Sequence, residues 1–303
     1  MASPLLSYTH PISNAQAETL REILQQTGFE FKEKPYTIFA AAKGKLNVSV
    51  YEKGPKVLVQ GKETEDFVRF TLEPEVLGEA KLGYEEELQP EMFAPHFGID
   101  ESGKGDFFGP LVIAGAYTDR DLTRKLRDAG VADSKKIADS KIKKLAALIR
   151  KTPGLDHEVI MIGPKKYNEL YQKIGNVNKL LAWGHSAVIE RLCEKRPDCE
   201  RALSDQFANP RLLRSSLGER GRDIELQQRT KAESDVAVAA ASILARDKFV
   251  WWIESASEKY GFEIPKGASA AVRKAAGKLV GEHGREVLHI LTKTHFKTAD
   301  EWL

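Results

Sequence analysis

Cysteine is scarce in this chain: two among 303 residues, Cys193 and Cys199, and they do not form a Cys-x-x-Cys pair. A disulfide framework is therefore excluded, and a reducing, cytoplasmic compartment is expected. Long apolar runs are also lacking. The longest small-apolar stretch, residues 236–245, is about half of what a bilayer span needs. The start Met1-Ala2-Ser3-Pro4-Leu5-Leu6 has neither the basic opening nor the apolar run of a secretory signal. Membrane and secreted classes are thereby set aside. Net charge is low as well, at +2, so a polyanionic partner is permitted without being demanded.

What is present is an ordinary globular composition, 42% hydrophobic and 30% charged, at a length that suggests two domains. The charge is unevenly spread. Residues 1–72 carry 9 Lys+Arg against 8 Asp+Glu, residues 73–92 one Lys against seven Glu, and the remainder 36 basic against 29 acidic residues. The acidic middle, with Pro74, Gly78, Gly83 and Pro90, reads as a solvated linker over 73–92. Before it, apolar residues at Ala17, Leu20, Ile23 and Leu24 predict a helix ended by Gly28. Strand patterns follow over 36–41, 46–51 and 57–59, then a second helix over 63–72. Domain 1–72 is thus a small α+β unit without a catalytic cluster, and Lys43, Lys45, Lys53, Lys56 and Lys62 are expected around its strands and turns. From residue 93 to 303 strands alternate with helices, which predicts an α/β domain with a mixed sheet.

The segment Gly98-Ile99-Asp100-Glu101-Ser102-Gly103-Lys104-Gly105-Asp106 is the richest in chemistry. Two acids end a strand and a Gly-Lys-Gly turn follows. Neighbours on a strand point to opposite faces, so the acids are expected to meet only where glycine breaks the strand. The spacing Gly98-x4-Gly103-Lys104 nearly matches a phosphate-binding P-loop, but Gly105 replaces the required Ser or Thr, and two carboxylates would face the phosphates. Carboxylates that hold cations, which in turn hold a phosphate, fit better. Asp205 follows Arg201-Ala202-Leu203-Ser204 at a predicted strand end, where an Asx-turn cap is the competing explanation. Glu233 and Asp235 lie before the alanine-rich helix over 236–260, where either acid also suits a helix start. Phe107 and Phe108 read as core, and Trp251-Trp252 as core or interdomain packing.

Residues 100–112, Asp-Glu-Ser-Gly-Lys-Gly-Asp-Phe-Phe-Gly-Pro-Leu-Val, resemble the signature of ribonuclease HIII, a bacterial type 2 ribonuclease H. The resemblance extends to Asp133-Ser134-Lys135-Lys136, Lys231-Ala232-Glu233, Ala239-Ala240-Ala241-Ser242-Ile243, Pro265-Lys266-Gly267-Ala268 and His295-Phe296-Lys297. Residues 51–61 resemble the family's N-terminal domain, which is similar to half of the TATA-binding protein. The resemblance implies a ribonuclease H-like catalytic domain over 93–303 and a substrate-binding domain over 1–72. It implies an endoribonuclease that cleaves the RNA strand of RNA–DNA hybrids and leaves 5′-phosphate and 3′-hydroxyl ends. Asp100, Glu101, Asp205 and Glu233 would hold two Mg²⁺ or Mn²⁺ ions, with Asp235 as competitor for the fourth place. Gly103, Lys104, Gly105, Ser134 and Lys135 would contact the substrate. A cytoplasmic monomer is expected. A P-loop-like nucleotide hydrolase and a non-catalytic hybrid-binding protein remain the alternatives.

Overall fold

The computed structural model describes residues 5–79, 81, 85–131, 134 and 137–303. The chain divides into two compact units at Glu91/Met92, each with its own hydrophobic core.

In the first unit, β1 (Ser7–Pro11), α1 (Asn14–Gln26), β2 (Glu30–Lys32), β3 (Thr37–Lys43), β4 (Leu46–Tyr51), β5 (Lys56–Gln60) and α2 (Thr64–Phe67) form one layer of sheet and one of helix. Ser13 caps α1 with a capping box completed by Gln16. The sheet is antiparallel in the order β1-β5-β4-β3-β2, two strands more than the periodicity predicts. β2 has only three residues and all are exposed, so it carries little hydrophobic pattern. Phe39, Ala41, Val48, Val50, Val57 and Val59 face Leu20 and Leu24 of α1 in the core. The opposite sheet face presents Thr9, Asn47, Ser49, Leu58 and Gln60 by register. Lys34 donates to Ser49 Oγ at 3.1 Å, and Lys34 and Lys56 lie over the Tyr51 ring. Lys43 is tied down to the Thr27 carbonyl.

The expected linker over 73–92 is corrected in its first part. After α2 the chain continues as a π-wound helix, Val68–Leu77, ended by Gly78. Leu72 and Val76 are buried in the first unit's core, and Glu73 is buried with them. Glu73 accepts from the Lys81 backbone N–H, which satisfies a charge that composition alone assigns to solvent. Residues 80 and 82–84 of that segment lie outside the described residues. Short helices α3 (Glu85–Leu88) and α4 (Pro90–Phe93) follow.

The second unit contains β6 (His96–Ser102), β7 (Leu111–Thr118), α5 (Arg120–Asp128), α6 (Asp139–Lys151), β8 (His157–Ile162), α7 (Pro164–Ile174), α8 (Val177–Lys195), β9 (Arg201–Asp205), α9 (Pro210–Arg214), β10 (Glu225–Arg229), α10 (Val236–Tyr260), α11 (Ala270–His283) and α12 (Glu286–Leu291). Its sheet has the order β10-β9-β6-β7-β8, with β10, β9 and β6 parallel and β7 antiparallel to both its neighbours. The sheet is mixed, and helices cover it on both faces.

The alanine run of α10 lies directly on β6. A Cβ on Gly98 would come within 2.1 Å of the Ala237 backbone, so only glycine allows this approach. Phe107 and Phe108 are fully buried, as their pattern predicts. Trp251 departs from expectation, being 49% exposed with Lys248 over its ring. Among the described residues no helix is long and apolar enough to cross a membrane.

Candidate active site

Parallel pairing of β6 with β9 brings the ends of both strands to one edge of the sheet, and that edge carries Asp100, Glu101 and Asp205. The strand does not break between the two acids of β6, contrary to the sequence reading. Asp100 pairs with Ala114, Glu101 with Ile113 and Ser102 with Val112, so the acids point to opposite faces. Asp100 turns toward α10, where it shares a hydrogen bond with Ser242. Glu101 turns toward α8, where His185 Nε2 lies 3.1 Å from Oε2. The break comes after Ser102. Gly103 has φ +87, and a Cβ there would lie 2.2 Å from the Pro110 carbonyl oxygen.

The turn that follows is held by segments far away in sequence. Asp106 Oδ1 accepts from the Gly267 N–H at 2.6 Å, and Phe107 N–H donates to the Gly267 carbonyl. Lys293, wholly buried, donates from Nζ to the carbonyls of Asp106 and Gly109, both at 2.7 Å. Burial pushes its ammonium down to about 7. His295 stacks on Tyr171 with ring centres 4.4 Å apart, which gives it a packing role. Lys293 escapes sequence reasoning because a buried lysine has no local signature.

Both acids of β6 open onto one cavity of about 480 Å³, which Gly103, Lys104, Gly105, Ser134, Asp205, Ser242, Arg246 and Lys266 also line. Burial first, then the charge of Glu101, push the Asp100 carboxyl up to about 7, and Asp205 adds to the rise. Lys104 Nζ lies 3.7 Å from Glu101 Oε1. Ser134 is buried, and its hydroxyl is 2.8 Å from that of Ser242, so it reaches Asp100 through a second serine. Arg246 donates to the Ser134 carbonyl and, with Lys266, to Asp139. Lys135 lies outside the described residues. A larger hollow of about 770 Å³ beside Cys193 and Cys199 is also lined by Glu194, Glu200, Asp223 and Glu225, and burial raises both thiols.

The two candidates for the fourth acid part company. Asp235 is buried at the start of α10, where Oδ1 accepts from Ala237 N, Val238 N and His96 Nε2. It holds a helix start and lines no part of the cavity. Glu233 is half-buried in the 3₁₀ turn Ala232–Ser234, whose first N–H donates to Asp205 Oδ1 at 3.1 Å. It thus neighbours Asp205 without lining the cavity. Among the described residues, no group of three or more acidic, histidine or cysteine side chains converges as a ready-made cation shell.

The P-loop alternative loses its physical basis here. Its phosphate cradle needs a helix N-terminus after the glycine turn, whereas this turn leads into β7, antiparallel to β6.

A mixed five-stranded sheet with acids at the adjoining ends of two parallel strands, covered by helices on both faces, is a ribonuclease H-like domain. Residues 97–299 match the family described as Ribonuclease HII, and residues 10–78 one described as Domain of unknown function (DUF3378). The chain is 44% identical to ribonuclease HIII of Protochlamydia amoebophila (strain UWE25), covering 94% of this chain and 92% of that one. It is 42% identical to ribonuclease HIII of Chlamydia pneumoniae over 96% of each. Among solved structures it is similar to Bst-RNase HIII in complex with Mn²⁺, with TM-score 0.67 and 29% identity over 97% of both chains. The chain belongs to the ribonuclease HIII family and shares its enzyme class, a ribonuclease H.

Proposed function

We propose that the protein is an endoribonuclease that hydrolyses the RNA strand of RNA–DNA hybrids, with Asp100, Glu101, Asp205 and Glu233 holding two divalent cations, Mg²⁺ or Mn²⁺. The observation that carries this reading is the crowding of carboxylates at the cavity. Two adjacent acids and a third from the next strand share it, and Asp100 is buried enough to resist ionisation on its own. A hard cation relieves that repulsion, and an all-carboxylate donor set suits Mg²⁺ or Mn²⁺. Asp100, Glu101 and Asp205 fit by donor type, shared cavity and charge. Glu233 fits by its place beside Asp205. The Bst-RNase HIII complex with Mn²⁺ supports the same choice.

When bound, such cations supply an activated water and stabilise the departing 3′-oxygen, which leaves 5′-phosphate and 3′-hydroxyl ends. The chain does the rest. Gly103, Lys104 and Gly105 line the cavity directly after the acids, so their backbone reads the 2′-hydroxyl that distinguishes RNA from DNA. Lys104 approaches the scissile phosphate, Ser134 lines the same cavity from the opposite segment, and Lys135 follows it in sequence. One chain supplies all four acids, so a monomer suffices.

Residues 1–72, extended by the helix to Leu77, hold the duplex through the sheet face of Thr9, Asn47, Ser49 and Gln60 with Lys34 and Lys56 beside it. Removing residues 1–91 then raises KM and flattens the salt dependence of binding, the slope falling by roughly one for each phosphate that this unit neutralises. An unchanged slope in a folded fragment removes this role.

The test of the reading itself is a gel of end-labelled hybrid with and without Mg²⁺ or Mn²⁺. Cation-dependent cleavage confined to the RNA strand is expected. An intact duplex at saturating cation would leave a hybrid-binding protein instead.

A further inference from the structure

The ladder between β6 and β9 ends at Ile99↔Ser204. Asp100, Glu101 and Asp205 all lie beyond that last pair, so backbone pairing between these two strands no longer fixes their separation. A side chain takes over. His185 of α8 is fully buried, with Nε2 3.1 Å from Glu101 Oε2 and Nδ1 3.0 Å from Ser204 Oγ. Ser204 immediately precedes Asp205 and is itself fully buried, and its Oγ also lies 3.0 Å from the Asp205 carbonyl oxygen. One imidazole thus joins the acid-bearing ends of both strands. The Phe207 ring packs against it at 4.8 Å, and Lys104 lies over the same ring.

The geometry points to His185 as a positioning residue for the Glu101 carboxylate. An ionised carboxylate only accepts, so Nε2–H donates to Oε2, and this bond sets the rotation that presents Oε1 on the Lys104 side. The inference rests on the cation reading above, because an oriented carboxylate matters most when it must meet an ion. Hydrogen bonds to ligand groups of this kind typically govern affinity by about 10–100-fold. Nothing in the sequence marks His185, which sits inside a helix among apolar residues and belongs to no short motif.

The test separates the two nitrogens of the ring. In His185→Gln the side-chain amide reaches the place of Nε2, and in His185→Asn only that of Nδ1. Mn²⁺ binding to the full-length chain without nucleic acid is followed by the electron paramagnetic resonance signal of free Mn²⁺, with melting temperature and metal-free hybrid binding measured alongside. His185→Asn is expected to weaken Mn²⁺ binding about tenfold or more, and His185→Gln by no more than about threefold, with hybrid binding unchanged in both. Equal Mn²⁺ affinities in the two variants overturn the inference, whether both match wild type or both fall together. Should either fail to fold, Ser204→Ala removes the anchor of Nδ1 and leaves the ring in place. A severalfold loss of Mn²⁺ affinity supports the inference there, and wild-type affinity overturns it. A wild-type chain that takes up no Mn²⁺ overturns the cation reading together with the inference, whereas uptake indifferent to residue 185 overturns the inference alone.

Discussion

Two histidine–carboxylate pairs stand at the two ends of β6, and they differ in what else each carboxylate meets. At the start of the strand, His96 Nε2 is 3.0 Å from Asp235 Oδ1, and that same oxygen accepts two N–H groups from the first turn of α10. At its end, His185 lies 3.1 Å from Glu101, whose carboxylate opens onto a cavity shared with Asp100 and Asp205. The first pair is closed by backbone donors and stabilises a helix start. The second faces a cavity that Asp100 and Asp205 line with it, so carboxylates crowd there instead of backbone donors. Burial of a carboxylate does not by itself separate structure from chemistry. The identity of the neighbours does: donors close the first site, and like charges open the second.

The largest expected effect is at the open end. Asp100→Asn removes one of the crowded charges and should lower hybrid cleavage by more than about a hundredfold, as loss of a group acting on transition-state charge does. Melting temperature should hold or rise, because a buried repulsion with Glu101 is gone. Hybrid binding without metal should persist or improve. Near-normal turnover would erase the distinction between the two ends.

The next test exchanges activity for stability. Asp235→Ala strips a helix cap and leaves His96 without its carboxylate, at an expected cost of about 2–4 kcal/mol in denaturant unfolding. Turnover per folded molecule should change little. Glu233→Gln should do the reverse, removing most activity with stability within about 0.5 kcal/mol of wild type. If the two variants exchanged profiles, Asp235 would be the fourth acid.

A pH series sharpens the contrast without mutation. The folded-state carboxyl of Asp100 titrates near 7, raised from 3.8 by burial and by Glu101. The folded chain therefore holds that proton more tightly than the unfolded chain does. The stability this confers is fully present below about pH 4 and is lost as pH rises through 7. Melting of the metal-free protein should show this decline, and added Mn²⁺ should raise the melting temperature more at pH 8 than at pH 5.5. A Mn²⁺ effect independent of pH would mean that the ion binds away from Asp100.

Much of this is legible in sequence, and the exceptions have physical causes. β4 falls at the residues its pattern predicts, because alternation and glycine punctuation are local signals. Helix α1 is legible as well, since Ala17, Leu20 and Leu24 face the core with helical spacing. α5 is not, since Arg120–Asp128 is so polar that its buried Leu122 and Leu126 barely register. The acidic run from Glu73 misleads because composition counts charges and does not see that a backbone N–H receives one of them. At the site, the acids of β6 and Asp205 stand out beside glycines and strand ends. His185, Ser242 and Lys293 do not, since each acts through a contact across many residues of sequence. Those contacts exist only once the sheet and its helices have packed.

The smallest effect belongs to the same substitution as the largest, made at the other end of the strand. Asp235→Asn keeps an oxygen in the place of Oδ1, the atom that takes all three hydrogen bonds, and Asn caps helices about as well as Asp. What it loses is the charge assistance to His96 and a loose approach to Arg229, at 3.9 Å from Oδ2. A charge-assisted hydrogen bond exceeds a neutral one by about 1 kcal/mol, so unfolding free energy should fall by about that much. Cleavage and Mn²⁺ affinity should remain at wild-type levels, because no oxygen of Asp235 reaches the cavity that Asp100 lines. Aspartate to asparagine would then be nearly silent at one end of β6 and disabling at the other, with the same atoms exchanged in each case. An Asp235→Asn chain that melts normally yet cleaves as poorly as Asp100→Asn would show that this carboxylate swings out of its helix cap to serve the cations. The division between the closed and the open end of the strand would then fail.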